Sequence, residues 1–137
     1  MNTRKYFGLL ALTAIVVVTL ACAALGPSGP SSSNFYMASD QEGKNKTTVF
    51  SPNQGFYVFF DVSGIDPGTV FHAKWFGLDV QDVDATTPFK TVDYNYESGV
   101  STIYFQLTNS NGWPTGHYKV EIYMDDTKVG EQQFSVQ

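Results

Sequence analysis

Along most of this chain, large apolar residues recur at every second position. Phe56, Val58, Phe60 and Val62 alternate with Tyr57, Phe59 and Asp61, and Phe71, Ala73 and Trp75 alternate with His72, Lys74 and Phe76. Farther on, Ile103, Phe105 and Leu107 alternate with Thr102, Tyr104 and Gln106, and Tyr118, Val120, Ile122 and Met124 with Lys119, Glu121 and Tyr123. A period of two sends alternate side chains to opposite faces of an extended strand, so each run predicts a half-buried β-strand. Turn chemistry separates the runs. In Asp66-Pro67-Gly68 the proline presets φ and the glycine accepts positive φ. Asn109-Ser110-Asn111-Gly112 predicts a loop, and Asp125-Asp126-Thr127 turns the chain into a last strand from Lys128 to Val136. About seven strands in roughly 90 residues, with turns every 8 to 12, predict an all-β class and an antiparallel β-sandwich.

The start of the chain has a different pattern. Arg4 and Lys5 precede an almost unbroken apolar run from Phe7 to Ala21, followed by small residues and Gly26-Pro27. The run is shorter than the roughly 20 residues a helix needs to cross the hydrocarbon core. A charged start, an apolar middle and a small-residue end predict a cleaved secretory signal over residues 1–21.

The single cysteine, Cys22, ends this run. Val18-Thr19-Leu20-Ala21-Cys22 resembles the lipobox of bacterial lipoprotein precursors. That resemblance implies cleavage before Cys22, a diacylglycerol thioether on its sulfur and acylation of the new amino terminus. Each buried methylene contributes about 0.8 kcal/mol, so two or three chains hold a protein on a membrane without a spanning helix. The sequence departs from the family pattern at Thr19, where leucine is usual. An ordinary signal cut after Ala23 or Ala24 is the alternative, and it would leave Cys22 without that role. Ala23, rather than Asp, follows the cysteine, which by family rules favours the outer membrane of a host that has one.

Residues 26–33 read GPSGPSSS, and the sequence stays polar to Lys46 apart from Phe35-Tyr36-Met37. This composition predicts a flexible tether over residues 22–45 and a domain over 46–137. Phe35 to Met37 are a candidate short strand docked on that domain. Six basic and thirteen acidic residues follow residue 21, a charge near −7 with no arginine. There is no basic patch to hold a phosphate backbone, which argues against nucleic acid as a partner. An acidic surface is also poorly suited to lie on anionic lipid, so membrane contact is expected through the lipid on Cys22 alone. With one cysteine, no internal disulfide can staple the domain.

Trp113-Pro114-Thr115-Gly116-His117-Tyr118, leading into Val120, resembles the tyrosine corner of immunoglobulin-like domains. The resemblance implies that Val120 and either Phe60 or Val62 fill the two positions that carry cysteines elsewhere, with Trp75 as the third-strand tryptophan packed on them. Gly116 to Tyr123, Asp125-Asp126, Val129-Gly130 and Phe134-Ser135-Val136 are similar to the closing hairpin of immunoglobulin-like modules in bacterial secreted proteins, with Thr127 where many have glycine. An immunoglobulin-like sandwich is implied, and a fold carries no activity with it.

Candidate chemistry is sparse. His72 has outward parity, and His117 adjoins the corner tyrosine. No Gly-x-Ser-x-Gly, His-Glu-x-x-His or phosphate-cradling loop occurs, so no catalytic residue and no cofactor are predicted. Asp79, Asp82 and Asp84 could offer oxygens to calcium, but their spacing is not that of an EF-hand and a solvated acidic loop accounts for them. Parity sends Tyr57, Phe59, Phe76, Tyr104 and Tyr123 away from the core, and Tyr94 and Tyr96 with them. Flat rings on a rigid sheet suit stacking on sugars or docking of a protein. Cross-strand pairing, or cover by the tether, is the alternative use of such rings. The expected role is a binding or structural module. Its candidate partners are cell-wall polysaccharide or an envelope protein. A protease-inhibitor-like role would need a protruding loop, for which Asp79 to Pro88 and Asn109 to Trp113 are the candidates.

Overall fold

The computed structural model describes residues 30–137. The signal segment, Cys22 and the first part of the expected tether lie outside the described residues. Eight strands form: β1 (Ser31–Ala38), β2 (Val49–Phe50), β3 (Phe56–Ser63), β4 (Val70–Gly77), β5 (Lys90–Asn95), β6 (Thr102–Leu107), β7 (Gly116–Met124) and β8 (Thr127–Val136). They build a three-stranded sheet in the order β1-β3-β6 and a five-stranded sheet in the order β2-β8-β7-β4-β5. The sandwich is not wholly antiparallel, because the short β2 runs parallel to β8, with Val49 beside Ser135 and Phe50 beside Val136.

The inward set of each alternating run meets between the sheets. Phe56, Val58 and Phe60 of β3 pack with Phe71, Ala73 and Trp75 of β4, Ile103 and Phe105 of β6, and Tyr118, Val120 and Ile122 of β7. Trp75 is fully buried, between the ring of Phe56 at 6.2 Å and an edge-on Phe134 at 6.0 Å. The corner is present: the buried Tyr118 donates its hydroxyl to the carbonyl oxygen of Pro114 at 2.6 Å. Tyr94 and Tyr96 depart from the expected outward parity. Both face inward, Tyr96 in the core and Tyr94 packed against it, and the Tyr96 hydroxyl finds the Val100 carbonyl at 2.9 Å.

The segment read as tether up to residue 45 contributes to the sandwich from Ser31 onward, so the domain begins well before residue 46. Phe35 to Met37 lie within β1, which is longer than the sequence suggests. A bulge explains why its pattern hid. The register shifts by one residue between Ser33 and Tyr36, and Asn34 takes φ 54°. Asparagine tolerates that conformation better than other residues with a Cβ. The extra residue turns Phe35 inward, where it stacks on Phe60 at 5.2 Å, and Tyr36 outward, where it stacks on Phe59 at 5.0 Å. Phe35 also closes against Gly130 of β8, where any Cβ would overlap its ring.

The two ends of the sandwich differ. At the entry end, where β1 begins, Ser31 lies beside Ser63, Gly68 donates to Tyr96, and Asp125 donates to Val70. Pro67 and Gly68 make the expected turn there, with Gly68 at φ 92° and Thr69 N–H bonded to Asp66. At the far end gather the 51–55 turn, the long 78–89 loop and the 108–115 loop. They are tied together by Leu78 N–H to His117 and Trp113 N–H to Pro52, each at 2.8 Å.

Candidate functional site

Register places Tyr57, Phe59 and Tyr104 on one surface, the outer face of the three-stranded sheet. Phe59 lies opposite Tyr104, and Tyr57 opposite Gln106. Tyr36 joins them, so Tyr36, Phe59 and Tyr104 form a row of stacked rings at 5.0 and 5.5 Å. Phe59 has the outward parity expected of it but is not exposed. The Asp40 to Lys46 loop roofs it. The Asp40 carboxylate organises this loop by accepting the backbone N–H groups of Glu42, Lys44 and Asn45, which hold its pKa below the usual carboxylate range. Gly43 sits over the rings; a Cβ there would come within 2.6 Å of the Tyr36 hydroxyl. Lys46 lies 4.1 Å from the Tyr36 ring centre, and Gln41 donates to the Tyr104 hydroxyl at 2.8 Å. The open part of the face is Tyr104, 41% exposed, with the half-buried Tyr57 and the exposed Gln106.

Phe76 and Tyr123 do not join this cluster. They lie on the outer face of the five-stranded sheet, each capped by an ammonium group: Lys119 is 4.7 Å from the Phe76 ring and Lys74 is 4.1 Å from that of Tyr123. Between them Glu121 is nearly buried and accepts bonds from Lys119 at 2.7 Å, the Tyr123 hydroxyl at 2.9 Å and Lys128 at 3.1 Å. Burial alone would raise its pKa, but these three donors bring it down to about 2. This face is a self-neutralising lattice of charge over two covered rings.

The three aspartates also part company. Asp79 is engaged by His117, accepting its backbone N–H at 2.5 Å and meeting Nδ1 at 2.6 Å. Asp84 accepts the hydroxyl and backbone N–H of Thr86 within its own turn. Asp82 is exposed at φ 61° and makes no ion pair among the described residues. The geometry brings no three metal-ligating side chains together among the described residues. His72 is likewise engaged, with Nδ1 2.6 Å from Asp93 on the neighbouring strand.

Sequence reasoning missed one feature, a cleft of about 140 Å³ at the far end, lined by Val80, Val83, Phe89, Asn109, Trp113, Pro114 and Tyr118. The two loops expected to protrude instead flank this concavity. Trp113 is fixed by stacking on Phe56 at 4.6 Å and by its Nε1–H bond to the Gln54 carbonyl at 3.0 Å. Phe89 remains 37% exposed at the mouth. Val80 and Val83 sit three apart in a loop without strand or helix period, so no pattern announced them as one wall.

An immunoglobulin-like protein from Pseudomonas aeruginosa superimposes with a TM-score of 0.62 over 82% of this chain and 99% of that one, at 15% identity. The fold is immunoglobulin-like. A β-glucosidase from Listeria innocua, determined with gluconolactone, matches at a TM-score of 0.47 and 12% identity over 75% of this chain and 16% of its own. Macromomycin matches at 0.39 and 19% identity over 66% of this chain and 93% of its own. No protein-family model and no curated protein matches the sequence. The immunoglobulin-like frame therefore accounts for the corner at Tyr118, the buried Trp75 and the apolar Phe60, Val62 and Val120, and leaves the function to the surface.

Proposed function

We propose that this chain is a non-catalytic envelope protein, anchored outside the cytoplasmic membrane by lipid on Cys22, that displays the far end of an immunoglobulin-like sandwich for binding. The apolar run ending at Cys22 supports the anchor. One observation carries the display: β1 enters the sandwich at the end opposite the cleft. Eight residues, Ala23 to Pro30, separate Cys22 from Ser31, a reach from Cys22 to Ser31 of at most ~32 Å. The eight-residue β3 then spans ~26 Å from the entry end to the far end. A membrane-held Cys22 would attach the domain at the end that carries the 64–69, 96–101 and 125–126 turns, which leaves the cleft on the end remote from the attachment.

Two measurements test this. Cys22→Ser should move the protein out of the membrane fraction; retention there would make an uncleaved apolar segment the anchor. Fluorophores at Ser98, in an entry-end turn, and Ser110, at the far end, should differ in quenching by spin-labelled lipid, with Ser98 quenched more. Equal or reversed quenching would overturn the display geometry.

A second reading has its own observation. Tyr104 and Tyr57 present ring faces beside the amides of Gln41 and Gln106, a combination suited to a sugar ring and its hydroxyls. Pelleting of the protein with insoluble peptidoglycan or exported polysaccharide, lost in Tyr104→Ala, would support a carbohydrate role for that face. No pelleting would end it.

A further inference from the structure

We infer that the far-end cleft docks a protein segment in which an apolar side chain is flanked by lysine or arginine. The inference extends the display geometry above, but the chemistry of the cleft stands without the anchor. The cleft is sized for one side chain: an apolar cavity of about 150 Å³ accepts a benzene-sized group. Its walls are Val80, Val83, Phe89 and Trp113, and its polar atoms are already engaged. Asn109 donates to the Gly112 carbonyl at 2.6 Å and accepts the Asn111 N–H at 3.0 Å. The Tyr118 hydroxyl and the Trp113 Nε1–H are committed to backbone carbonyls. A sugar ring would bring several hydroxyls, for which the cleft walls offer little beyond the second N–H of Asn109 and leftover lone pairs, and an unmatched buried hydroxyl costs about 1–3 kcal/mol. An aliphatic or aromatic side chain brings none.

The rim gives the sign of the partner's charge. Asp82 and Asp84 bracket Val83 in the cleft wall, and Asp82 makes no ion pair among the described residues. Thr86 and Thr87 bond to Asp84 but bring no positive charge to it. Lys90 stands beyond Phe89 as the nearest cation in sequence. An acidic rim steers cationic segments and repels anionic ones. A second copy of this chain, with its excess of acidic residues, is a poor match for that rim.

The test uses the purified full chain in detergent, so that failure of the anchor does not decide it. Immobilised nine-residue peptides carry a central Leu, Met or Phe flanked by two Lys, two Ser or two Glu. Lys-flanked peptides should bind about five- to tenfold tighter than Glu-flanked ones, with the preference shrinking in high salt. Asp82→Lys should level or invert that preference. Phe89→Ala, at an exposed position that leaves the core intact, should weaken every apolar peptide about tenfold, whereas a peptide with central Ser should bind neither protein. Equal binding of the Lys and Glu sets would overturn the inference, as would no binding, or binding indifferent to Phe89→Ala. Self-association lost in Phe89→Ala would give the cleft to a second copy instead. Muropeptide binding lost in that variant would give it to a sugar.

Discussion

Asn34 is a single residue on which the facing of an aromatic pair depends. Its positive φ creates the bulge that sends Phe35 in and Tyr36 out. Asn34→Val, β-branched in the left-handed region, should cost about 1–3 kcal/mol in denaturant unfolding, while Asn34→Gly should cost less despite losing the 2.8 Å bond to Asp61. Trp75 makes a different case. Its Nε1–H is buried without a hydrogen-bond partner among the described residues. Because the ring is fully buried, Trp75→Ala should lose about 3–5 kcal/mol, and Trp75→Phe much less, since it keeps most of the packing and removes the orphaned donor. A loss below about 1 kcal/mol for alanine would contradict the burial of this strand face. At Glu121, the pKa lies at about 2 in the folded protein against 4.5 for the free side chain. A depressed carboxylate stabilises fully above its unfolded pKa, and that contribution is lost as pH falls through the folded one. Stability should drop between about pH 4.5 and pH 2. Glu121→Gln should flatten that limb in acid titrations followed by circular dichroism. Asp40, Asp61, Asp79, Asp84 and Glu131, also held low by hydrogen bonds, should leave a residual slope.

Among the elements, those with clean alternation were legible. β3, β4, β6 and β7 each carry four or more residues of strict period, and their inward sets form the core. β8 was recognised from its turn. β1 is legible only as the short Phe35 to Met37 candidate, because Ser31 to Asn34 read as linker and the bulge breaks the period at the point where Phe35 begins it. β2 has two residues, too few for any period. β5 is hidden because tyrosine suits either face, and alternation points Tyr94 and Tyr96 outward where the core takes them in. The aromatic row was legible in part. Parity found Tyr57, Phe59 and Tyr104, but the roof over Phe59 comes from a loop whose polar sequence reads as tether. That roof has a testable hinge. Gly43→Val places a branched side chain at φ 67° and against Tyr36. It should lift the loop, raise tyrosine fluorescence quenching by iodide, and cost about 1–3 kcal/mol. Unchanged quenching would mean that the loop does not cover the row.

Taken whole, the molecule divides its surface among distinct tasks. The outer face of the five-stranded sheet neutralises its own charges, the face of the three-stranded sheet is roofed over Tyr36 and Phe59 and open at Tyr57 and Tyr104, and the far end keeps an open apolar cleft beside carboxylates. Distance in sequence hid this division. The cleft draws its walls from residues 80–89 and 109–118, which meet only because β4 and β7 are neighbours.

The parallel seam between β2 and β8 also bears on time. Ser135 N–H bonds to Thr48 and Gln137 N–H to Phe50, so the last residues of the chain complete a strand laid down near the start of the domain. Sheets dominated by such distant pairings fold in milliseconds to seconds, slowly for their size. Here β8 closes the contacts between Phe50 and Phe134, whose rings meet edge-on at 5.6 Å. Among the described strand pairs, that of β2 with β8 joins the residues farthest apart in sequence, so the seam at Val49–Phe50 is expected to be a late step of folding.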